Sequence, residues 1–174
     1  RTPLNGIMGM TELLLHTDLD NRQHKFAETV YQSSEHLLSL INDMLDISKI
    51  EAGELQLELV ESNLLELVKE IVSLLLPKAQ KKGLEMLIYF SPKLAEKYIL
   101  DPLRVRQIIS NLLSNALKFT DQGFIKLNVK PAFNEHGKEL IRCEVIDTGI
   151  GISKETQKRL FVKFTQADVS TTRK

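Results

Sequence analysis

Cysteine is nearly absent from this sequence of 174 residues, as are long apolar runs and any excess of charge of one sign. The single cysteine, Cys143, cannot form an internal disulfide or a cysteine metal site, which favours a reducing compartment. The longest apolar run, residues 71–76, is interrupted by Ser73 and falls far short of the roughly 18 residues that cross a bilayer. With 23 basic and 23 acidic residues, nothing favours nucleic acid or an anionic membrane surface as a partner.

The first part of the chain has the spacing of amphipathic helices, within a composition typical of a globular protein. Leu4, Met8, Thr11 and Leu15 fall on one face of a first helix. After a break at residues 17–21, apolar positions recur at alternating intervals of four and three, as in a coiled-coil seam. This heptad seam consists of Phe26, Val30, Ser33, Leu37, Leu40, Met44 and Ile47.

A second stripe widens the same face of the long helix and consists of Ser34, Ile41, Leu45 and Ser48. Two helices alone cannot bury so broad a face. A second copy of the chain would bury it in an antiparallel four-helix bundle, which the regular heptads favour. The alternative is that the seam packs on the second half of the same chain. We therefore predict a helical-hairpin dimerisation module over residues 1–53, ending at Gly53 because glycine is favoured just past a helix.

Residues 54–174 combine strand and helix patterns and predict a second domain. Leucine alternates with polar residues over 55–59, as in a strand. Asn63 has capping-box spacing to Glu66 and begins a helix to about residue 80. Asp101, followed by Pro102 at the first helical position, begins a helix to about residue 119. The patterns predict further strands at 84–90, 124–129 and 140–146 and a short helix at 154–160, so the fold class is α+β with helices on one face of a sheet.

Two asparagines and a lysine share one face of the helix that follows Asp101. Asn111, Asn115 and Lys118 stand at positions i, i+4 and i+7. Amide oxygens can ligate Mg²⁺, and amide N–H₂ groups and an ammonium can bind phosphate oxygens. A solvated polar face is the other interpretation, and spacing alone does not decide between them. The apolar side of this helix is predicted to consist of Ile108, Leu112 and Leu113.

A loop with two glycines, residues 147–152, follows the last predicted strand. The carboxylate of Asp147, fixed at a strand end, could accept a hydrogen bond from an exocyclic amine. Gly149 and Gly151 would let the backbone approach a flat ligand closely. Glycines after a strand more often form a simple turn, so the preceding asparagine helix is what favours a binding site here.

Four segments, in this order, resemble the motifs of sensor histidine kinases of two-component systems. Residues 1–6 (RTPLNG) resemble the end of the H-box, 111–120 the N-box, 147–152 the first glycine box, and 161–168, with Phe161 and Phe164, the F-box. From the first segment to the last, they span nearly the whole chain. The sequence of residues 165–174 is similar to that of hybrid kinases, which carry receiver domains. Lys163 stands where the F-box usually has proline.

The resemblance implies a Bergerat-type (GHKL) α/β sandwich that binds ATP and Mg²⁺. Asp147 would bind the adenine amino group, and Asn115 would help to hold Mg²⁺ and the triphosphate. Thr2 would support phosphatase activity or phosphotransfer, or it would merely fit the start of a helix. The implied ATP-binding residues are Asn111, Asn115, Lys118, Phe119, Asp147, Gly149, Gly151, Ile152 and Phe164.

The implied activity is ATP-dependent phosphorylation of a histidine, followed by transfer to an aspartate of a response regulator or receiver domain. We expect the acceptor histidine just before Arg1 and the end of the chain within the ATP lid, so the 174 residues alone should not autophosphorylate. The histidines that are present lack the H-box context and are interpreted as surface residues: His16, His24, His36 and His136.

Two other functions stay open, an ATPase of the same fold and a dimerisation module whose nucleotide pocket has decayed. Asn111 speaks against the ATPase, because an amide cannot serve as the general base that activates water. The retained Asn115, Asp147 and loop glycines speak against the decayed module. The implied partners are a second copy through residues 1–53 and a response regulator, and the implied location is cytoplasmic, with inner-membrane anchoring of a longer parent left open.

Overall fold

The computed structural model describes residues 2–158. The chain divides into two compact units, with the boundary between Leu57 and Glu58. The first unit is a helical hairpin and the second combines two small sheets with helices, which confirms the α+β class. No helix among the described residues has the length and apolarity that a bilayer-spanning segment requires.

The hairpin consists of helix α1, Thr2–Leu15, and helix α2, Asn21–Glu51. Asp20 caps α2 with a complete capping box, since its carboxylate accepts from the Gln23 N–H and the Gln23 side chain accepts from the Asp20 N–H. Gly53 follows the end of α2 with φ of 70°, as predicted from its place after the heptads.

The two helices pack through one face of each. On α1 the predicted face holds, because Leu4 and Thr11 are buried and Met8 and Leu15 half-buried. On α2 the inward positions are Ala27 and Ser34, with Tyr31, Leu38 and Ile41 half-buried. The apolar side chains of the heptad seam are instead exposed, between 42% and 59% for Phe26, Val30, Leu37, Leu40, Met44 and Ile47.

The second unit contains a two-stranded and a three-stranded sheet. Strand β1, Val60–Asn63, pairs antiparallel with β3, Lys97–Leu100, so that Val60 faces Leu100. In the other sheet the order is β2-β4-β5, with β2, Glu85–Phe90, parallel to the central strand. Strands β4, Phe124–Phe133, and β5, Glu139–Asp147, form an antiparallel hairpin.

Two helices of 18 residues cover one face of this unit, α3 at Leu64–Lys81 and α4 at Pro102–Phe119. Both predicted caps are present, because the Asn63 side chain accepts from the Glu66 N–H and Asp101 from the Arg104 N–H. The core lies between the buried faces of these helices and the inward side chains of β4, Ile125, Leu127 and Val129. A short helix α5, Lys154–Gln157, follows β5.

One predicted strand is absent from the structure, and one observed strand was not predicted. Residues 55–59 form no strand although Leu55, Leu57 and Leu59 alternate with polar residues, and the strand begins only at Val60. Strand β3, which is the pairing partner of that strand, was not predicted from the sequence. Because a strand needs a partner for its N–H and C=O groups, the position of β3 sets where β1 begins.

Strand β4 contains a proline, Pro131, although β4 is the central strand. β2 ends at Phe90, which pairs with Val129, so Pro131 lies beyond the β2–β4 ladder. The Ser91 N–H donates to the Val129 oxygen, which places the polar groups of residue 129 on the β2 side. Residue 131 points the same way because strands have a period of two, so Pro131 removes no hydrogen bond from the sheet.

Candidate functional site

The helix that carries the asparagines is fixed at its start by one carboxylate. Asp101 accepts from the Arg104 N–H through Oδ1 and from the Glu58 N–H through Oδ2, both at 3.0 Å. The pKa of Asp101 lies below its usual value because these backbone hydrogen bonds stabilise the charged carboxylate. The bond from the Arg104 N–H has the larger effect, and the bond from the Glu58 N–H the next largest. Asp101 therefore ties the first residue of the second unit to the beginning of α4.

Asn111, Asn115 and Lys118 all lie on the exposed side of α4, as their spacing predicted. The prediction for the apolar side was wrong at two positions, because Ile108 is 59% and Leu112 44% exposed. The side chains that face the core are Ile109, Leu113, Ala116 and Leu117. Only Leu113 of the predicted trio is buried, which corresponds to a rotation of about one residue around the helix axis.

The end of α4 contacts the glycine loop through the backbone. The Ile150 N–H donates to the Phe119 oxygen at 3.2 Å. Gly149 lies so close that an added Cβ would stand 2.3 Å from that same oxygen. The Asp147 carboxylate in turn accepts from the Gly149 N–H at 2.9 Å. The structure thus brings Phe119, Gly149 and Asp147 together at one corner, with Lys118 one residue from it.

The Thr148 hydroxyl holds the other side of the loop, which sequence reasoning missed. Its Oγ1 accepts from the Phe124 N–H and lies 3.0 Å from the Gln122 oxygen, to which it donates. Gly123 has φ of 103°, and a Cβ there would meet Thr148 Oγ1 at 2.2 Å. The chain after α4 and the loop after β5 therefore fit only because residue 123 is a glycine.

A second residue that the sequence analysis missed, Lys82, reaches the same corner from α3. Its Nζ donates to the Leu117 oxygen at 2.8 Å and to the Thr120 oxygen at 3.2 Å. The Thr120 hydroxyl is fully buried and has no hydrogen-bond partner among the described residues. An open cavity of about 250 Å³ lies between the helices, lined by Leu75, Lys78, Lys82, Ser114, Leu117 and Lys118.

Gly151 and Ile152 are not drawn into this corner. Gly151 has φ of 70° and open space around it, and Ile152 is 52% exposed. Thr2 is exposed at the start of α1, in the other unit. Phe164 and the F-box lie outside the described residues.

The donors on α4 fit Mg²⁺ chemically. Asn111 and Asn115 present amide oxygens to solvent on one face, and Mg²⁺ prefers hard oxygen ligands while it keeps several waters and binds substrate phosphates. The ammonium of Lys118 lies 5.1 Å from the centroid of the Phe119 ring, within the range of a cation–π contact. The corner can therefore offer oxygen donors, a cation, an aromatic ring and a carboxylate.

Comparison with known families gives one match in each unit. Residues 1–53 match the family described as the His Kinase A (phospho-acceptor) domain. Residues 100–174 match the family described as histidine kinase-, DNA gyrase B- and HSP90-like ATPase. These matches follow the order of the two units along the chain.

Proteins named as histidine kinases are similar to this chain over all or nearly all of its length. The signal transduction histidine-protein kinase BarA of Escherichia coli K12 is 43% identical over 174 residues, which is all of this chain and 19% of BarA. Hybrid signal transduction histidine kinase L of Dictyostelium discoideum is 43% identical over 173 residues, 99% of this chain and 10% of that kinase. The chain thus spans a fifth or less of these relatives.

Among solved structures, full-length ShkA in complex with AMPPNP superposes with a TM-score of 0.78 at 35% identity. The match covers 97% of this chain and 35% of ShkA. This match therefore extends over almost all of both compact units.

Proposed function

Because this chain belongs to the histidine kinase family, with a phospho-acceptor domain before an ATPase domain, we propose that it is the kinase core of a hybrid-type sensor histidine kinase. The second unit binds Mg-ATP. The γ-phosphoryl group passes to a histidine of the helical hairpin and then to an aspartate of a response regulator or receiver domain. The contact between Phe119 and the Gly149–Ile150 backbone carries the proposal, since it joins the asparagine helix to the aspartate loop.

Asp147 is suited to bind the adenine amino group. One of its oxygens accepts from the Gly149 N–H, which fixes the carboxylate at the end of β5. The side chain is exposed, so an amino group can donate to the carboxylate. The close approach of Gly149 to Phe119 leaves a backbone surface without side chains, against which a flat ring can lie.

The polar face of α4 is suited to the triphosphate. Asn115 would ligate Mg²⁺, with Asn111 and Lys118 beside it, and the ion would neutralise charge on the phosphate oxygens. Lys118 binds phosphate directly. Because Asn111 is an amide and cannot take a proton, this face favours transfer to an outside nucleophile over hydrolysis.

The helical hairpin forms a homodimer through the exposed heptad seam. Six large apolar side chains along one face of α2 are between 42% and 59% exposed in the single chain. Burying them against a second copy gives the four-helix bundle that the heptads predict, with residues 1–53 as its module. Thr2, at the start of α1, supports phosphotransfer or phosphatase chemistry, and the parent protein acts at the cytoplasmic side.

Mg-ATP titration calorimetry tests the proposal on this chain and on two variants, Asp147→Asn and Asn115→Ala. We expect both variants to weaken binding at least tenfold, about the effect of one lost charge-assisted hydrogen bond or metal ligand. Asp43→Asn, which makes the same chemical change on α2, is the control and should bind as the parent chain does. Steady ATP turnover by the chain alone would instead support the ATPase, and binding that ignores both substitutions would refute this site.

A further inference from the structure

Lys82 joins the ends of the two helices in the second unit. It is the residue just past α3, where its own N–H donates to carbonyls of the last turn, including that of Ala79. Its side chain crosses to the end of α4 and donates to the oxygens of Leu117 and Thr120 at 2.8 and 3.2 Å. Asp121, an exposed side chain 3.7 Å away, is the acidic group described beside it.

The end of α4 is electrically unfavourable for a phosphate. A helix macrodipole places about half a negative charge at its C-terminus, and anions are normally bound at the opposite end. Asn115 and Lys118 lie in the last turns of α4, so a triphosphate held there is close to the negative end. A cation at this end would offset that repulsion.

Lys82 occupies the position where such a cation acts most directly. Its ammonium donates to the oxygen of Leu117, one of the last helical carbonyls that carry the partial charge, and to the oxygen of Thr120, the capping residue whose backbone is already extended. The neighbouring Phe119 oxygen receives the Ile150 N–H of the aspartate loop. Three carbonyl oxygens at the end of α4 are thus occupied, those of Leu117 and Thr120 by the Lys82 ammonium and that of Phe119 by the Ile150 N–H.

We propose that Lys82 is a positioning residue for nucleotide binding, which neutralises the C-terminal end of α4 so that phosphates can be held beside Asn115 and Lys118. This inference rests on the proposed function. It assigns Lys82 no contact with the nucleotide, because the side chain approaches α4 from the side of α3. Its effect should grow with the number of phosphates on the ligand.

A series of ligands separates this role from simple packing. The affinities of Mg-ATP, Mg-ADP and adenosine are measured by calorimetry on the parent chain and on Lys82→Met, which keeps the aliphatic stem, and Lys82→Arg, which keeps the charge. Lys81→Met, the adjacent residue with the same change in net charge, is the control. We expect Lys82→Met to weaken Mg-ATP about tenfold, Mg-ADP less, and adenosine less than twofold.

The Arg variant should restore Mg-ATP affinity to within about threefold, and the Lys81 variant should match the parent chain. Equal losses for ATP and adenosine in Lys82→Met, or no loss at all, would overturn the electrostatic role while leaving the proposed nucleotide site intact. Failure of the parent chain to bind any of the three ligands would refute the proposed function and this inference together. If Lys82→Met does not fold, weak binding of Mg-ATP by a folded Lys82→Arg variant still overturns the proposal.

Discussion

Replacing Gly149 by alanine should open the corner between α4 and the aspartate loop. The new Cβ would lie 2.3 Å from the Phe119 oxygen and 2.8 Å from Asp147 Oδ1, whereas ordinary contacts begin near 3.4 Å. The backbone must therefore separate by about 1 Å, because the nearest atom is a main-chain oxygen and not the end of a flexible side chain.

The expected cost follows from two contributions. Overpacking of this kind costs about 1–3 kcal/mol. The Ile150 to Phe119 hydrogen bond, already 3.2 Å long, would be lost and adds about 0.5–1.5 kcal/mol. The sum of roughly 1.5–4.5 kcal/mol is a large fraction of the total stability of a small domain, about 5–15 kcal/mol.

Hydrogen exchange read by mass spectrometry measures this cost locally. Peptides covering residues 143–151 should exchange at least tenfold faster in Gly149→Ala, and Mg-ATP binding should be lost. The control is Gly151→Ala, where a Cβ meets nothing within 4 Å and the cost is the strain of φ at 70°, about 1–2 kcal/mol. Protection in Gly149→Ala equal to the parent chain, or greater than in Gly151→Ala, would refute the close contact.

The remaining predictions concern the seam, one carboxylate and one thiol. Replacing Leu37 and Leu40 together by serine should convert the dimer to monomers, measured by sedimentation velocity, since both lie on the exposed seam. The pKa of Asp101 lies below its ordinary value of 3.8, so its contribution is complete above about pH 4 and is lost as the pH falls through the folded pKa. Urea unfolding between pH 7 and 2.5 should show this loss in the parent chain and less of it in Asp101→Asn. Burial raises the pKa of the Cys143 thiol, so iodoacetamide at pH 7.5 should modify it at least tenfold more slowly in the folded chain than in urea.

Each of these has a matched comparison. His36→Ser, beside the seam, should leave the dimer unchanged, and dissociation in that variant would count against the seam as the interface. An identical pH profile for the parent chain and Asp101→Asn would contradict the two backbone hydrogen bonds of Asp101. Alkylation of Cys143 at the same rate in buffer and in urea would show that packing against the core does not protect the thiol.

Local signals in the sequence were enough to predict the helix starts. Asn63 and Asp101 are caps whose side chains satisfy N–H groups within three residues, and Pro102 fits the first turn. The glycine past α2 was likewise predicted from neighbours alone. These features depend on a few adjacent residues, so no knowledge of the tertiary structure is needed.

The strand β1 could not be placed in this way. Alternation over residues 55–59 satisfies the strand pattern, yet Leu57 and Leu59 are 57% and 58% exposed outside any strand. The strand lies where β3 pairs with it, and β3 is only four residues long, Lys97–Leu100, too short for a periodicity signal. A strand partner more than thirty residues away is information that no local window contains.

The candidate site shows the same division. The exposed face with Asn111, Asn115 and Lys118 follows from helix periodicity. The contacts of Lys82 and Thr148 join residues separated by at least 24 positions in the sequence, and no rule based on local spacing predicts such contacts. The chemistry of both contacts could have been expected, because the carbonyls at a helix end need donors and a turn needs a hydroxyl or a glycine. The partners of Lys82 and Thr148 could not be identified from the sequence.

Pro131 also bears on how the molecule behaves at high concentration. It stands at the first position where β4 extends past β2, and its ring replaces the N–H that would otherwise face outward on that side. A strand of another chain that paired there would lack the hydrogen bond from an N–H at residue 131. The projecting tip of the β4–β5 hairpin is thereby guarded against edge-to-edge aggregation, and Pro131→Val should make the protein more prone to aggregate without weakening the sheet.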